Sequence, residues 1–508
     1  MIQCRRARLA TLLALVVALA LTSAGCGGFD TASSFGGPPS GNLGATPGGA
    51  QDFRQVRASI ARGQVPAADA YYVEGLLSEH DLPLGGGCND LLCVRLATSV
   101  APLDAPIADA GAFDPQTYDR RQAERLTYVQ VGFSTSLDAA TFERDALNIA
   151  LVVDVSGSMR VDKMEATKTA LQALRSKLTA NDVVSLVKFN DGATLVLPPT
   201  RGDDQETIRR AIASLHAGGS TDIAAGMVLG YQQIEAAART FPGARSKRLM
   251  LFTDAMPNVG STTSQSFSAL VATAAADRIG LTAFGVGIDF NHELVDMISN
   301  LRGGNYFYLA NEDAIATIFD KDFDYLVTPL AYDLELTLSL GDGYRVAAVY
   351  GVKAWTQGED KNTIRVPSVF VSRNRGAIVV ALARDTDAPL APGNLSCLHA
   401  SLRYERADDG RVITGSASAS APAAAYQRGS EAHHDQLSVR KAVALVDLVE
   451  GMRRASTAYY SGKRVLAQLE ADRAYAQIRA EATAVGDGSL DGEVTMAGQL
   501  AQTLRGGL

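Results

Sequence analysis

The sequence predicts an α/β protein: a doubly wound sheet with one antiparallel edge strand, followed by an antiparallel β-sandwich-like region and a C-terminal helical hairpin. Three observations carry this. Between Leu147 and Leu326, short apolar runs alternate with amphipathic stretches, the signature of parallel strands covered by helices on both faces. Within that series the link Asn190-Asp191-Gly192 is too short for a parallel crossover, so the strand after it must return antiparallel, at an edge. From Tyr332 to Glu405 the apolar period becomes two, and from Leu437 it becomes three to four.

Taken in order, the chain opens with Arg5, Arg6 and Arg8, then an apolar stretch from Leu9 to Leu21, then Ser23-Ala24-Gly25 before Cys26. This reads as a secretory signal over residues 1–25. It resembles a bacterial lipoprotein signal, with Ser23 where that family usually carries Leu, Val or Ile; the resemblance implies lipidation at Cys26. Ordinary cleavage near Gly25 leaves Cys26 free and is the alternative. Residues 26–51, rich in Gly, Pro, Ser, Ala and Thr, read as a flexible tether. Gly27 after the cysteine implies, by the family's sorting rule, an exported protein of the outer membrane facing periplasm or cell surface. After the signal no apolar run approaches the roughly 18 residues that span a bilayer.

Residues 52–135 form a flanking region. Phe53, Val56 and Ile60, then Val73, Leu76 and Leu77, fall at helical spacing on either side of a break at Gly63–Pro66. Residues 83–118 read as mostly loop, and Leu126–Phe133 as a half-exposed strand. Cys88 and Cys93 are close enough to pair in an oxidising compartment. Cys4 leaves with the signal, and Cys397 is left over as a buried thiol.

In the α/β region, 145–328, strands are predicted at 147–153, 183–189, 193–197, 247–253, 281–287 and 304–309. Helices are predicted at 160–178, 204–215, 222–238, 264–278, 291–300 and 311–326. The sandwich-like region occupies 329–425, with 415–425 as a Ser/Ala/Pro linker. The helical tail, 430–508, carries an apolar stripe of Leu445, Leu448, Met452, Ala455 and Tyr459.

The chemistry centres on Asp154-Val155-Ser156-Gly157-Ser158-Met159, which joins the buried run Leu147–Val153 to a helix. Its three oxygen side chains suit a hard cation better than a soft one, and Gly157 allows a sharp turn. Two further stretches, Gly218-Gly219-Ser220-Thr221-Asp222 and Phe252-Thr253-Asp254, fall at the same edge of a parallel sheet, where α/β folds bind ligands. The three together resemble the metal-ion-dependent adhesion site of von Willebrand factor type A domains, a Rossmann-like fold. The resemblance implies that Ser156, Ser158 and Thr221 bind Mg²⁺ through their hydroxyls, with Mn²⁺ or Ca²⁺ as alternatives. Asp154 and Asp254 would supply charge directly or through water. The open position would take an Asp or Glu carboxylate of a protein partner. Asp222 would add charge or cap the next helix, and Ala255 stands where Gly is common. The residues preceding the domain, Phe53-Arg54-Gln55-Val56-Arg57 through Leu77, resemble the flank found in bacterial lipoproteins of this type. A capped helix start without an ion is the alternative for the first stretch alone.

The net charge of −8 and the lack of a basic stripe argue against nucleic acid. No phosphate-binding loop and no Gly-x-Ser-x-Gly elbow occurs. His292-Glu293 lacks the second His of a zinc-protease helix, and Arg201-Gly202-Asp203 is a chance match to an integrin tripeptide. The expectation is therefore a non-enzymatic adhesion or scaffolding module at the cell envelope. The alternatives are an envelope enzyme or subunit that positions a catalytic partner, and a metal-free structural module.

Overall fold

The computed structural model describes residues 41–506, apart from 52, 112, 114–118, 161, 255–263, 288–297, 310–311, 354, 358–361, 386–389 and 391. The signal segment, Cys26 and most of the tether lie outside the described residues.

The described chain begins with two strands where a tether was expected: β1 (Asn42–Pro47) and β2 (Gly49–Ala50). Asn-Leu-Gly-Ala-Thr-Pro has little strand propensity, so its order comes from neighbours on both sides. Leu43 and Ala45 are buried in the sandwich core. A Cβ at Gly44 would stand 2.1 Å from the Asn374 carbonyl oxygen, so the backbones approach too closely for any other residue. The expected helical pair follows as α1 (Arg54–Ala61) and α2 (Val73–Glu79).

Next come β3 (Cys93–Pro102) and β4 (Arg125–Asp138), paired antiparallel along the whole of β3. The loop expected over 83–118 is corrected here: Val94, Leu96 and Val100 do alternate, but Ala, Thr and Ser between them dilute the pattern. A disulfide joins Cys88 to Cys93 at the start of β3, with Cα atoms 5.8 Å apart.

The α/β region follows in the predicted sequence: β5 (Leu147–Asp154), α3 (Asp162–Ser176), β6 (Val183–Phe189), β7 (Ala193–Arg201), α4 (Gln205–Ala213), α5 (Ile223–Thr240), β8 (Ser246–Thr253), α6 (Ser264–Ala276), β9 (Ile279–Val286), β10 (Gly304–Leu309), α7 (Glu312–Ala316) and α8 (Phe323–Leu326). The expected helix at 291–300 falls mostly outside the described residues. The sheet order is β2-β10-β9-β8-β5-β6-β7, parallel throughout except for the edge strand β7. Its central strands read as unbroken apolar runs because both faces are buried.

The remaining strands are β11 (Pro329–Leu340), β12 (Tyr344–Tyr350), β13 (Trp355–Gln357), β14 (Asn362–Ser372), β15 (Ala377–Arg384), β16 (Asn394–Arg406), β17 (Val412–Pro422) and β18 (His433–His434). They are antiparallel, in the order β12-β15-β4-β1-β14-β11-β16-β17, with β3 and β18 beyond β4, and β13 on β14. Inward residues of β4 and β15 (Val129, Val131, Ile378, Val380) meet those of β11, β14 and β16 (Leu336, Val366, Leu398) in one core, as a sandwich requires. The region 329–425 is not self-contained, because β1, β3 and β4 from the N-terminal flank complete it. The linker expected at 415–425 is largely β17, an edge strand of small residues paired to β16.

The tail has three helices rather than a hairpin: α9 (Leu437–Tyr460), α10 (Arg464–Val485) and α11 (Asp491–Gly506). The missed third helix buries Met496, Leu500 and Leu504, a readable four-residue spacing. These helices, with α1 and α2, cover the outer face of β4 and β15, where Leu126, Tyr128, Ala377 and Val379 point the opposite way from the sandwich core. No described helix is long and apolar enough to cross a membrane.

The amino ends of the parallel strands rest on the sandwich. Gly303 N donates to Ser368 Oγ (2.6 Å), and Gly48 N to the Ser368 carbonyl (2.7 Å). Arg248, buried near the start of β8, donates to Thr282 Oγ1 (2.9 Å) and the Gly303 carbonyl (3.2 Å), with its guanidinium 5.3 Å from the Phe370 ring centre. Arg302 pairs with Glu405 at 2.9 Å and lies 4.3 Å from the Tyr332 ring centre. The carboxyl ends of the same strands are left at the opposite edge.

Candidate metal centre

Asp154 is the last residue of β5 and is fully buried, because the apolar run before it ends inside the protein. Its Oδ1 accepts from Ser156 N (2.8 Å), and its Oδ2 from Thr253 Oγ1 (2.6 Å) at the end of β8. Ser156 Oγ and Ser158 Oγ are 3.0 Å apart. Ser158 Oγ donates to Asp254 Oδ1 (2.9 Å), and Lys163 Nζ donates to Asp254 Oδ2 (2.5 Å). Four of the five residues singled out in the sequence, Asp154, Ser156, Ser158 and Asp254, thus meet at one sheet edge, open to solvent at Ser158.

The loop carrying Thr221 is pinned beside them. Gly157 N donates to the Gly219 carbonyl (2.9 Å), Gly218 N to the Val155 carbonyl (2.6 Å), and Asn190 Nδ2 to the Gly218 carbonyl (2.8 Å). Gly219 takes φ +95°, which a side chain would strain. Thr221 is half-buried, and among the described residues its hydroxyl has no hydrogen bond to the other four. Asp222 caps α5, its Oδ1 accepting from Ala225 N (3.0 Å), so its side chain serves the helix.

Asp191, Thr253 and Lys163 escaped the sequence reading. Asp191 accepts from Ser220 N (2.9 Å) and Oγ (2.5 Å), and those bonds hold its carboxyl below the usual range. In the sequence, the short link that holds Asp191 signals a hairpin and nothing of the site. Thr253 stood next to Asp254 in the quoted motif, and Lys163 is one cation among several on α3.

Burial pushes the Asp154 carboxyl up, and the nearby Asp254 adds to this, against the hydrogen bonds from Thr253 and Ser156. Two buried carboxylates therefore share this edge with one ammonium, Lys163. Among the described residues, Asp154 has no ion-pair partner. A buried excess of negative charge ringed by hydroxyl oxygens fits a hard dication. No cluster of three or more His, Cys, Asp or Glu able to hold a metal occurs among the described residues, so hydroxyls would have to complete any such site.

The other sequence signals separate from this edge. The tripeptide Arg201-Gly202-Asp203 is a tight turn: Gly202 N donates to the Asp182 carbonyl (2.9 Å), and a Cβ there would stand 2.3 Å from the Thr179 oxygen. Ala255, His292, Glu293 and Cys26 lie outside the described residues. Cys397 is buried, which pushes its thiol up to about 12 and leaves it unreactive.

Residues 148–321 match the von Willebrand factor type A domain family. The chain is similar to the uncharacterized protein YfbK of Escherichia coli (strain K12), 25% identical over 294 residues, 58% of this chain and 48% of that one. It is similar to the human inter-alpha-trypsin inhibitor heavy chain H4, 27% identical over 181 residues, 35% of this chain and 19% of that one. It thus spans less than half the length of these relatives. Among solved structures, a von Willebrand factor type A protein from Catenulispora acidiphila superposes with a TM-score of 0.51 at 15% identity, over 82% of this chain and 91% of that one. That likeness extends the shared fold well beyond the α/β region.

Proposed function

We propose that this chain, which carries a von Willebrand factor type A domain, is an envelope-anchored adhesion or scaffolding module that grips a partner's Asp or Glu side chain through a divalent cation. Domains of this type are protein-interaction modules. The observation that supports the finer reading is the pair of buried carboxylates, Asp154 and Asp254, which face a single ammonium, Lys163, and are joined by Ser156 and Ser158 at an edge open to solvent. Asp154 and Asp254 would supply the charge, and Ser156, Ser158 and Thr221 the neutral oxygens, for Mg²⁺, with Mn²⁺ or Ca²⁺ as substitutes. A bound Mg²⁺ supplies an electrophilic position for an anionic oxygen. The chain's own contribution is to hold the donors rigidly and to keep most of them neutral, so that the ion's charge stays available. The role proposed is binding rather than catalysis.

The test is calorimetric titration of the chain with Mg²⁺, beside the Ser156→Ala, Ser158→Ala double variant. Saturable binding to the first and none to the second is the expected result. Equal heats in both would remove the site. The envelope placement rests on the signal segment and Cys26. Cys26→Ser should move the protein from the membrane fraction to the soluble one, and unchanged fractionation would discard the lipid anchor.

A further inference from the structure

Lys163 stands one turn into the chain beyond the motif, near the start of α3. Its ammonium sits 2.5 Å from Asp254 Oδ2, while Ser158 holds Oδ1, so both oxygens of that carboxylate are taken. The pair is unequal in exposure: the Asp254 side chain is 3% exposed and that of Lys163 28%. The path of the lysine stem is fixed by a second element. Gly287, just after β9, has φ +87°, and a Cβ there would stand 2.5 Å from Lys163 Cε. The missing side chain at Gly287 is therefore the space through which the lysine reaches the carboxylate.

We propose that Lys163 is a built-in counter-cation of this edge, holding Asp254 when no metal is present and competing with a divalent cation for it. This rests on the reading of Asp154, Ser156, Ser158, Thr221 and Asp254 as a cation site. The physical reason is electrostatic. A fixed ammonium touching one donor repels an incoming dication, and the repulsion is strong where burial weakens screening. The same ammonium spares the metal-free protein the cost of two uncompensated buried carboxylates. Lys163 therefore sets the threshold at which the ion is taken up, without being a ligand.

Mg²⁺ titration of the full chain and of Lys163→Met and Lys163→Arg tests this. Lys163→Met should bind Mg²⁺ about ten-fold more tightly or better, as expected when one like charge beside a dication is removed, and Lys163→Arg should stay close to the parent. In EDTA, Lys163→Met should melt lower than the parent, and its rise on adding Mg²⁺ should be the larger of the two. Lys163→Gln, with a polar head at this partly exposed position, repeats the measurement should the methionine variant fold poorly. Equal or weaker Mg²⁺ binding in the neutral variants overturns the proposal and leaves the site standing. No binding in any of the chains removes the site and the proposal together.

Discussion

At the amino end of the parallel sheet, buried charge of both signs is met from inside the chain: Asp182 pairs with Arg144 and accepts from Leu147 N. Arg248, with no carboxylate partner among the described residues, donates to Thr282 and the Gly303 carbonyl and lies against Phe370, while the partly exposed Arg302 has Glu405 and Tyr332. At the carboxyl end, buried charge is negative and is only half settled: Asp254 has Lys163, and Asp154 has hydroxyl and amide donors alone. One sheet thus has an end that packs on the sandwich and an end that faces solvent with two buried carboxylates and one ammonium. Burial of charge costs several kcal/mol per ion unless it is compensated. At the solvent-facing end that shortfall supports the cation reading proposed above.

The comparison breaks first at Arg248. Arg248→Ala removes a fully buried side chain at the junction and should cost about 3–5 kcal/mol in urea unfolding. Arg248→Met keeps the volume without the charge and should cost far less, since an apolar replacement of a buried ion is often near neutral. Comparable losses in the two would mean that the charge itself, not the packing, joins the sheet to the sandwich.

The opposite end should respond to ions rather than to denaturant. Asp154→Asn should weaken Mg²⁺ binding by more than about 100-fold, roughly 2.7 kcal/mol, while unfolding in EDTA moves little or shifts towards greater stability. A large loss of stability in EDTA would make Asp154 a structural residue. Asp222→Ala should be milder: loss of the α5 cap should cost about 1 kcal/mol, with Mg²⁺ affinity nearly unchanged. A sharp drop in affinity would give Asp222 a share in the site.

The smallest effect is on pH dependence. The folded Asp154 carboxyl lies above its unfolded value. Its proton therefore stabilises the metal-free fold, fully below the unfolded value, and that contribution is lost as pH rises through the folded one. Asp154→Asn should flatten this part of the metal-free stability profile. Over the same window, Mg²⁺ affinity should climb with pH as the ion displaces the proton. Melting curves with and without Mg²⁺ from about pH 4 to about pH 7 check both.

Much of this was legible before the structure. The parallel strands announced themselves because strands buried on both faces are uninterrupted apolar runs, as from Leu147 to Val153, and the short Asn190–Gly192 link fixed the antiparallel edge. The donors at the open end were legible because their types and spacing are unusual. What was hidden depends on neighbours distant in sequence. β1 has little propensity for its state and is ordered by β4 and β14, and residues 415–421 of β17 are Gly, Ser and Ala that read as a linker. The role of Lys163 is set by Asp254 and Gly287, neither of which is near it in the chain.

The threading of β1 has a mechanical consequence. It lies between β4 and β14, with Gly44 opposite both Ser134 and Ser372, and the chain passes directly from it to β2 at the far edge of the other sheet. Tension applied ahead of Asn42 would act along the strand and load its hydrogen bonds to both neighbours together, in shear. Shear resists force better than peeling, which breaks such bonds one at a time. A load between the N-terminal side and a partner held at the carboxyl edge would therefore enter the molecule through its interior, where both layers share it, rather than through an outer strand that could be stripped away.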